Sequence, residues 1–252
     1  MSDKKLENLL KTYKKEIKNL VQVGAHFGQE LEIIEEHING NVFLFEPSES
    51  AIKVLKAKVG MNSNIKIFPY ALGSENTLNE MFYSNENDGQ SSSLLKPDLH
   101  INVQPQIEFK EKIKVSVKRF EDLNIDNADF LIMDVQGFEL EVLKGFGKKL
   151  KDVQFIYTEV NRDYLYENNV LIGELDAFLK SKNFLRVWTI WRRADMPWGD
   201  AFYIKVERIG KYKSKLLQIK NKLFTNKVIF FFYYIFDPRL IKKRVKKIIG
   251  RT

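Results

Sequence analysis

The fold is decided by residues 20–28, which read Leu-Val-Gln-Val-Gly-Ala-His-Phe-Gly. A short apolar run stops at one glycine, and a second glycine follows four positions later. Apolar runs bounded by glycine are typical of buried strands that end in a turn. Because residues 29–37 then carry apolar side chains at helical spacing, this stretch predicts a buried strand, a tight turn and a helix.

The same alternation continues on both sides of this turn. We predict strands at 42–45 and 64–70 around a helix at 49–59, for which Ser48 is a suitable N-cap. Further strands are predicted at 128–134, 153–159, 185–191 and 201–206, with helices at 139–146 and 172–182. Strands that read as continuous apolar runs between helices are typical of a parallel sheet covered on both faces. The last two strands are close in sequence, which favours an antiparallel pair.

Three segments lie outside this pattern. Residues 3–18 read as a polar, exposed helix. We therefore divide this part of the chain into an N-terminal helical segment at 1–19 and a domain at 20–206. The polar stretch 84–111 predicts a long loop that is mobile at 85–93. Residues 207–252 form a basic, aromatic tail.

The charge of the chain is unevenly distributed. The whole sequence carries a formal charge of +8. Residues 207–252 hold 14 Lys and Arg against two acids, so residues 1–206 are net acidic at −4. Nine apolar residues at 228–236 are flanked by basic segments, and 241–249 has amphipathic spacing. This composition favours binding of the tail, residues 210–252, to an anionic membrane surface; a helix packed on the domain or a dimer contact is the alternative.

Several classes of protein are disfavoured by composition. No apolar run reaches the roughly 18–20 residues of a membrane-spanning helix, and the charged N-terminus does not resemble a secretory signal. The sequence has no cysteine, which excludes disulfides and thiolate metal sites. We therefore expect a cytoplasmic protein whose tail can bring it to the inner face of the membrane.

The glycine turn and the acid at the end of the second strand favour a ligand with ribose hydroxyls; a plain tight turn, with Glu46 capping a helix, is the alternative. Glycines between a strand and a helix let the backbone approach a ligand closely. Glu46 follows Gly24 by 22 residues and can accept hydrogen bonds from ribose hydroxyls. The spacing Gly-x-x-x-Gly differs from the dinucleotide pattern, which disfavours a nicotinamide oxidoreductase.

The chain resembles the FkbM-type methyltransferases, a branch of the class I S-adenosylmethionine-dependent enzymes. The resemblance spans about residues 20–205 and is most specific at Asp-Val-Gln-Gly-Phe-Glu, residues 134–139. The other matching segments are VQVGAHFGQ at 21–29, FEPS at 45–48, YALG at 70–73, SSSL at 91–94, VLKG at 142–145, EVN at 159–161 and WGDAFY at 198–203. It implies a Rossmann-like α/β domain with a seven-stranded, mostly parallel sheet and helices on both faces, to which the basic helical tail is added.

The resemblance also implies S-adenosylmethionine as cofactor and assigns residues to it. The turn at 24–28 would cradle the cofactor, Glu46 would bind its ribose, and Ala71 and Leu72 would lie near the adenine. An Asp usually stands where Gln22 is, and Gln22 can still accept a hydrogen bond from the cofactor's ammonium group. The full set of predicted cofactor-binding residues is Gln22, Gly24, Ala25, Gly28, Glu46, Pro47, Ala71, Leu72 and Asp134.

Methyl transfer to a hydroxyl requires removal of a proton, which a nearby carboxylate can accept. Asp134, Glu139 and Glu159 are the candidates, since they lie at or just after predicted strand ends. Glu139 could instead cap or pair on its own helix. His26 is a further candidate base, although a hydrogen-bonded structural role is favoured. Asp134, Glu159 and Asp200 could converge on a divalent cation, but we expect no metal.

The acceptor site is predicted on the later strands and the polar loop. Sugar rings present apolar C–H patches that stack on aromatic faces, and an aromatic set in this region could roof the site: Tyr164, Tyr166, Trp188, Trp191 and Trp198. Core packing is the alternative for each of them. The predicted acceptor-binding residues are Ser92, Ser93, Asn161, Tyr164 and Trp198.

These observations favour an O-methyltransferase acting on a sugar hydroxyl of a surface glycan or a lipid-linked precursor. A catalytically weak or inactive methyltransferase-like module tethered to a membrane is the alternative, and it rests on the missing acid at Gln22. Methylation of RNA rests on the basic tail alone, and the acidic domain argues against a nucleic-acid partner.

Overall fold

The structure is a computed structural model that describes residues 3–84, 91–109, 111–193, 196–210 and 217. The predictions for the tail therefore lie almost wholly outside the described residues. So does most of the loop predicted to be mobile at 85–93, of which the structure describes 91–93.

A seven-stranded sheet with the order β3-β2-β1-β7-β8-β10-β9 forms the centre of the molecule. Its strands are β1 (Asn19–Val23), β2 (Asn41–Phe45), β3 (Ile65–Phe68), β7 (Phe130–Met133), β8 (Phe155–Asn161), β9 (Phe184–Trp191) and β10 (Trp198–Lys205). The first five run parallel, whereas β10 pairs antiparallel with both β8 and β9. The predicted fold class and the predicted antiparallel pair are both confirmed.

Helices lie along the chain between these strands. They are α1 (Asp3–Tyr13), α2 (Leu31–His37), α3 (Glu49–Val59), α4 (His100–Val103), α5 (Glu139–Gly145) and α6 (Ile172–Ser181), with short 3-10 helices at Phe120–Asp122, Gly147–Lys151 and Val206–Arg208. The buried apolar side chains form two clusters, to which alternate residues of β1 contribute: Val21 and Val23 to one, Leu20 to the other. A sheet buried on both faces accounts for the continuous apolar strands of the sequence.

A second, three-stranded sheet was not predicted. It has the order β4-β6-β5 and comprises β4 (Ala71–Leu72), β5 (Thr77–Ser84) and β6 (Glu111–Lys118). The strand predicted at 64–70 therefore ends at Phe68, and the chain continues into a different sheet. Four consecutive residues of β5 are exposed, and its sequence shows no regular alternation. In β6 the apolar residues Ile113, Val115 and Val117 alternate with polar ones, a strand pattern that sequence reasoning missed.

The polar sequence of the N-terminal helix predicted that it is exposed, but one face of this helix is buried. Leu6 and Leu10 of α1 are fully buried, and the ring of Tyr13 lies 4.2 Å from that of Phe155 in β8. Because leucines four positions apart share one face of a helix, two apolar residues suffice to dock an otherwise polar α1 onto the sheet.

The topology places a crevice at the carboxyl ends of the parallel strands. β1 lies between β2 and β7. The chain therefore continues from β1 to β2 on one side of it, and β7 later pairs with β1 on the other side. Ligands bind at such switch points in open α/β sheets. None of the helices within the described ranges is long and apolar enough to cross a membrane.

Candidate functional site

A cavity of about 840 Å³ opens at the carboxyl ends of β1, β2, β7 and β8. This volume lies within the range of small-molecule sites, roughly 300–1,000 Å³. Eight of the residues assigned above to the cofactor or to the base role line it: Gly24, His26, Glu46, Pro47, Ala71, Leu72, Asp134 and Glu159. Ser92 and Trp198, predicted to bind the acceptor, line it as well. Residues from both halves of the sequence therefore share one cavity.

The glycine turn brings backbone to the mouth of this cavity. Gly24 has a φ of +78°, and a Cβ at this position would lie 2.0 Å from the carbonyl oxygen of Asp134. The amides of Gly24 and Ala25 both donate to the carbonyl of Phe45, at 3.0 and 3.1 Å. The turn therefore packs tightly on the ends of β2 and β7, and only glycine fits at position 24.

Glu46 is a buried carboxylate at the edge of the turn. Its side chain is 4% exposed and accepts hydrogen bonds from the amides of His26 and Ser48, each at 2.8 Å. Burial raises the pKa of Glu46 to about 7. Carboxylate oxygens have further lone pairs beyond these two contacts, so Glu46 can still accept hydrogen bonds from a diol.

These features fit the cofactor that the family resemblance implies. A turn whose backbone comes close at Gly24, a buried acceptor and apolar wall residues at Ala71 and Leu72 are what a nucleoside with a charged amino-acid group requires. Gln22, Ala25 and Gly28 are not among the lining residues. Gln22 is 1% exposed, and its predicted contact with the cofactor stays a prediction.

Asp134 and Glu159 are bridged by the amide of Gln136. The Gln136 Nε2 donates to Asp134 Oδ1 at 2.6 Å and to Glu159 Oε2 at 3.2 Å. Glu159 Oε1 has no hydrogen-bond partner among the described residues. Burial raises the pKa of Glu159 well above its usual value, and the charges of Asp134, Glu139 and Asp200 raise it further. The surroundings of Glu159 therefore disfavour its charged form.

Tyr166 and a serine segment hold Gln136 in this position. The Tyr166 hydroxyl lies 3.0 Å from Gln136 Oε1 and 2.8 Å from the carbonyl oxygen of Ser91. Ser93 Oγ donates to the carbonyl of Gln136 at 3.0 Å. Gln136 itself has a φ of +53°, which is uncommon for a residue with a side chain. The polar loop thus fixes the bridge between the two acids.

Glu139 lies behind the cavity and is not one of its lining residues. It is fully buried, and its Oε1 accepts hydrogen bonds from the amides of Val135 and Gly137, at 3.3 and 3.1 Å. This arrangement matches the capping alternative, in which Glu139 holds the turn that carries Gln136. Its predicted catalytic role is not tested by this geometry.

The titration of Glu139 gives a test of that structural role. Burial raises the pKa of Glu139 to about 7, above its unfolded value, so its contribution to stability is present below pH 4.5 and is lost as the pH rises through 7. We expect Glu139→Gln to reduce the loss of stability between pH 5 and pH 8 by about 2–3 kcal/mol, measured by urea unfolding at both values.

The matched control for this experiment is Glu75→Gln, which alters an exposed glutamate. It should leave the difference between pH 5 and pH 8 at its wild-type size. An equal pH dependence in Glu139→Gln and the wild type would contradict the buried, titrating carboxylate described above.

His26 lines the cavity in the turn itself. Its φ is +46°, and the Gln29 amide lies 2.7 Å from its Nδ1. This contact agrees with the hydrogen-bonded, turn-filling role favoured from the sequence. A role for His26 as a base stays a prediction.

The predicted acceptor residues do not all reach the cavity. Ser92 and Trp198 line it, whereas Ser93, Asn161 and Tyr164 do not. Tyr164 is 46% exposed. Asn161 is buried, with no partner for its side-chain oxygen or nitrogen among the described residues. The roles of these residues therefore remain predictions.

Of the aromatic set, only Trp198 lines the cavity. Trp188 packs on Tyr157 and Phe202, with ring centroids 5.9 and 5.8 Å away, so core packing is its role. Tyr166 is fully buried and acts through Gln136.

Several lining residues were missed by sequence reasoning. Glu30, His100, Gln104 and Arg192 all face the cavity. His100 is almost fully buried, and burial lowers its pKa to about 4. It lies in the polar stretch assigned to a loop, where no periodic pattern marks individual residues. Glu30 carried a usable signal, an acid at the start of the helix that follows the glycine turn.

The sequence left open a divalent cation bound by Asp134, Glu159 and Asp200, although no metal is expected there. Within the part of the chain that the structure describes, no group of three or more His, Asp or Glu residues is arranged to hold a metal ion.

Comparison with known proteins adds three findings. A model of the Methyltransferase FkbM domain matches residues 22–186. Over 173 residues the chain is 25% identical to the 2-O-methyltransferase NoeI of Sinorhizobium fredii (strain NBRC 101917 / NGR234), which covers 64% of this chain and 71% of that protein. A solved structure, the methyltransferase FkbM from Methylobacillus flagellatus KT, superposes with a TM-score of 0.50 at 16% identity over 75% of this chain. The chain spans 44% of that relative, and at this identity the likeness establishes the fold.

Proposed function

The chain belongs to the FkbM methyltransferase family, and from that premise we propose that it transfers a methyl group from S-adenosylmethionine to a sugar hydroxyl of a surface glycan or a lipid-linked glycan precursor. The family match and the related 2-O-methyltransferase confirm the predicted family, enzyme class and cofactor. The observation that carries the proposal is that the glycine turn, Glu46 and Asp134 line one cavity.

Each part of the cofactor has matching residues in the cavity. The carboxylate of Glu46 would accept hydrogen bonds from the ribose hydroxyls, and Ala71 and Leu72 would contact the adenine. The backbone at Gly24 would lie against the amino-acid end. When bound, S-adenosylmethionine supplies an electrophilic methyl group on its sulfonium. The chain's own contribution is to orient the acceptor oxygen in line with that group and to exclude water.

We assign the base role to Asp134. Its Oδ1 is held by Gln136, and it faces the cavity, where it can accept the proton of the acceptor hydroxyl as the oxygen–methyl bond forms. Glu159 also lines the cavity, and in its protonated form, which burial and the neighbouring charges favour, it can donate a hydrogen bond to an acceptor oxygen. One acid then removes a proton while the other positions the substrate.

The wall of the cavity includes groups that suit a hydroxyl-rich acceptor. Ser92, Gln104 and Gln106 supply hydroxyl and amide groups, and Trp198 supplies an aromatic face. Amides and hydroxyls can both donate and accept hydrogen bonds, which matches the alternating hydroxyls of a sugar. Sugar C–H faces stack on indole. These groups support a glycan acceptor over a phosphate-rich nucleic acid.

The basic tail supports a lipid-linked acceptor. Residues 207–252 carry 14 bases against two acids, and such segments bind anionic lipid headgroups. We propose that residues 210–252 bring the acidic domain to an anionic membrane surface at the inner face of the membrane, where lipid-linked precursors are presented. This part of the proposal rests on the sequence.

The experiment that tests the function is transfer of labelled methyl groups from S-adenosylmethionine by the full chain. The acceptor panel contains oligosaccharides, a lipid-linked oligosaccharide in neutral or anionic vesicles, and RNA. We expect label on a sugar hydroxyl, in an ether that survives mild alkali, and faster transfer when the vesicles are anionic. Alkali resistance distinguishes a methyl ether from a methyl ester.

Three outcomes would contradict the proposal. Label on RNA alone would favour nucleic-acid methylation. Cofactor binding without transfer to any acceptor of the panel would favour the inactive module. Equal rates on neutral and anionic vesicles would remove the proposed role of the tail while leaving the sugar acceptor in place.

A further inference from the structure

Glu30 is a carboxylate of the cavity wall that the mechanism above leaves without a role. It lies directly before α2, where the chain turns back over the end of β1, and it is 8% exposed. Its Oε2 accepts a hydrogen bond from Gln22 Nε2 at 2.9 Å. Among the described residues, no Lys, Arg or His side chain forms an ion pair with it. Glu30 is thus a buried acid that faces a cavity.

The surroundings of Glu30 favour a cationic ligand. Burial raises the pKa of Glu30, and the nearby charge of Asp134 raises it further. Two acids at one end of a cavity disfavour each other's charged form. A bound cation would relieve both the burial cost and the repulsion. S-adenosylmethionine and S-adenosylhomocysteine each carry an α-ammonium group that could supply this charge.

The neighbouring Gln22 cannot supply a negative charge. It stands where the family resemblance leads one to expect an acid, but it is neutral, 1% exposed and absent from the cavity wall. Its amide nitrogen is committed to Glu30, eight positions later in the chain. The carboxylate that reaches the cavity from this end of β1 therefore belongs to Glu30.

We propose that Glu30 binds the α-ammonium group of the cofactor and supplies the charge that Gln22 lacks. The inference rests on the proposed function, because it assumes that the cavity takes S-adenosylmethionine. It moves the ammonium contact predicted for Gln22 to Glu30, a residue that was not among the predicted cofactor-binding residues.

The test compares three ligands by calorimetry on the full chain and on Glu30→Gln. S-adenosylhomocysteine carries the ammonium and carboxylate groups, decarboxylated S-adenosylmethionine keeps the amine alone, and 5′-methylthioadenosine has neither. We expect Glu30→Gln to weaken the first two about 10- to 100-fold, as loss of a charged hydrogen bond implies. Binding of 5′-methylthioadenosine should change less than about threefold, which also shows that the variant is folded.

The matched control is Glu32→Gln, which removes the same charge from an exposed position of α2 and should leave all three affinities unchanged. Equal weakening of all three ligands by Glu30→Gln, or no weakening of S-adenosylhomocysteine, would overturn the proposal. Failure of the wild-type chain to bind any of the three would instead contradict the proposed function, so the two failures are distinguishable.

Discussion

Glu46→Ala is expected to lower the affinity for S-adenosylhomocysteine by at least about 100-fold, because two charge-assisted hydrogen bonds of about 1.5–3 kcal/mol each would be lost. The side chain also accepts hydrogen bonds from the amides of His26 and Ser48, so its removal loosens the turn that approaches the cofactor. Isothermal titration calorimetry of the wild type and the variant measures the loss directly.

The pH dependence of binding separates the charge of Glu46 from its packing. Since the pKa of Glu46 is raised to about 7, its charged form increases between pH 6 and pH 8. The wild-type affinity should rise over this interval, and the rise should be smaller in Glu46→Gln. Glu49→Ala alters an exposed neighbour and serves as the control. An affinity of Glu46→Ala within threefold of the wild type would remove Glu46 from the cofactor site.

Asp134→Asn should reduce kcat for methyl transfer by about 100- to 10,000-fold, the usual contribution of a general base. An asparagine can keep a hydrogen bond to Gln136 but cannot accept the proton of an acceptor hydroxyl. Affinity for S-adenosylhomocysteine should change far less than kcat. The measurement is steady-state transfer of label to the best acceptor of the panel, together with calorimetry.

Glu159→Gln provides the sharpest comparison with this variant. Glutamine resembles the protonated acid that burial and neighbouring charges impose on Glu159, so we expect kcat to fall less than about tenfold. Asp126→Asn, at an exposed position, should retain full activity. If Glu159→Gln loses activity while Asp134→Asn retains it, the base role belongs to Glu159 and the assignment is reversed.

The parallel sheet was predictable because burial on both faces leaves a direct trace in the sequence. The segments at 42–45 and 130–133 are continuous apolar runs, the segment at 20–23 is apolar apart from Gln22, and all three segments are buried. Strand β5 leaves no such trace, because half of its residues are exposed to solvent. Strand β6 leaves only an alternation, in which Val115 and Val117 are buried. Polar residues also predominate in α1, although its Leu6 and Leu10 are buried.

The glycine turn, Glu46 and Asp134 were predictable because each lies at the end of a recognisable strand, and parallel strands bring their carboxyl ends to one edge. Only the tertiary structure shows which of the carboxylates at that edge lie next to each other. Gln136 bridges Asp134, two positions before it, and Glu159, 23 positions after it. This bridge depends on a loop conformation held by Tyr166.

Chain order thus specifies the layers of this protein, the strand ends and the family to which it belongs, because apolar periodicity and local motifs are properties of short segments. The different roles of its acidic residues depend on the tertiary structure. Glu139 accepts hydrogen bonds from a loop, Glu30 lines the cavity, and burial raises the pKa of Glu159 well above its usual value. Burial and the distance between charges set these differences, and both arise only when distant segments pack together.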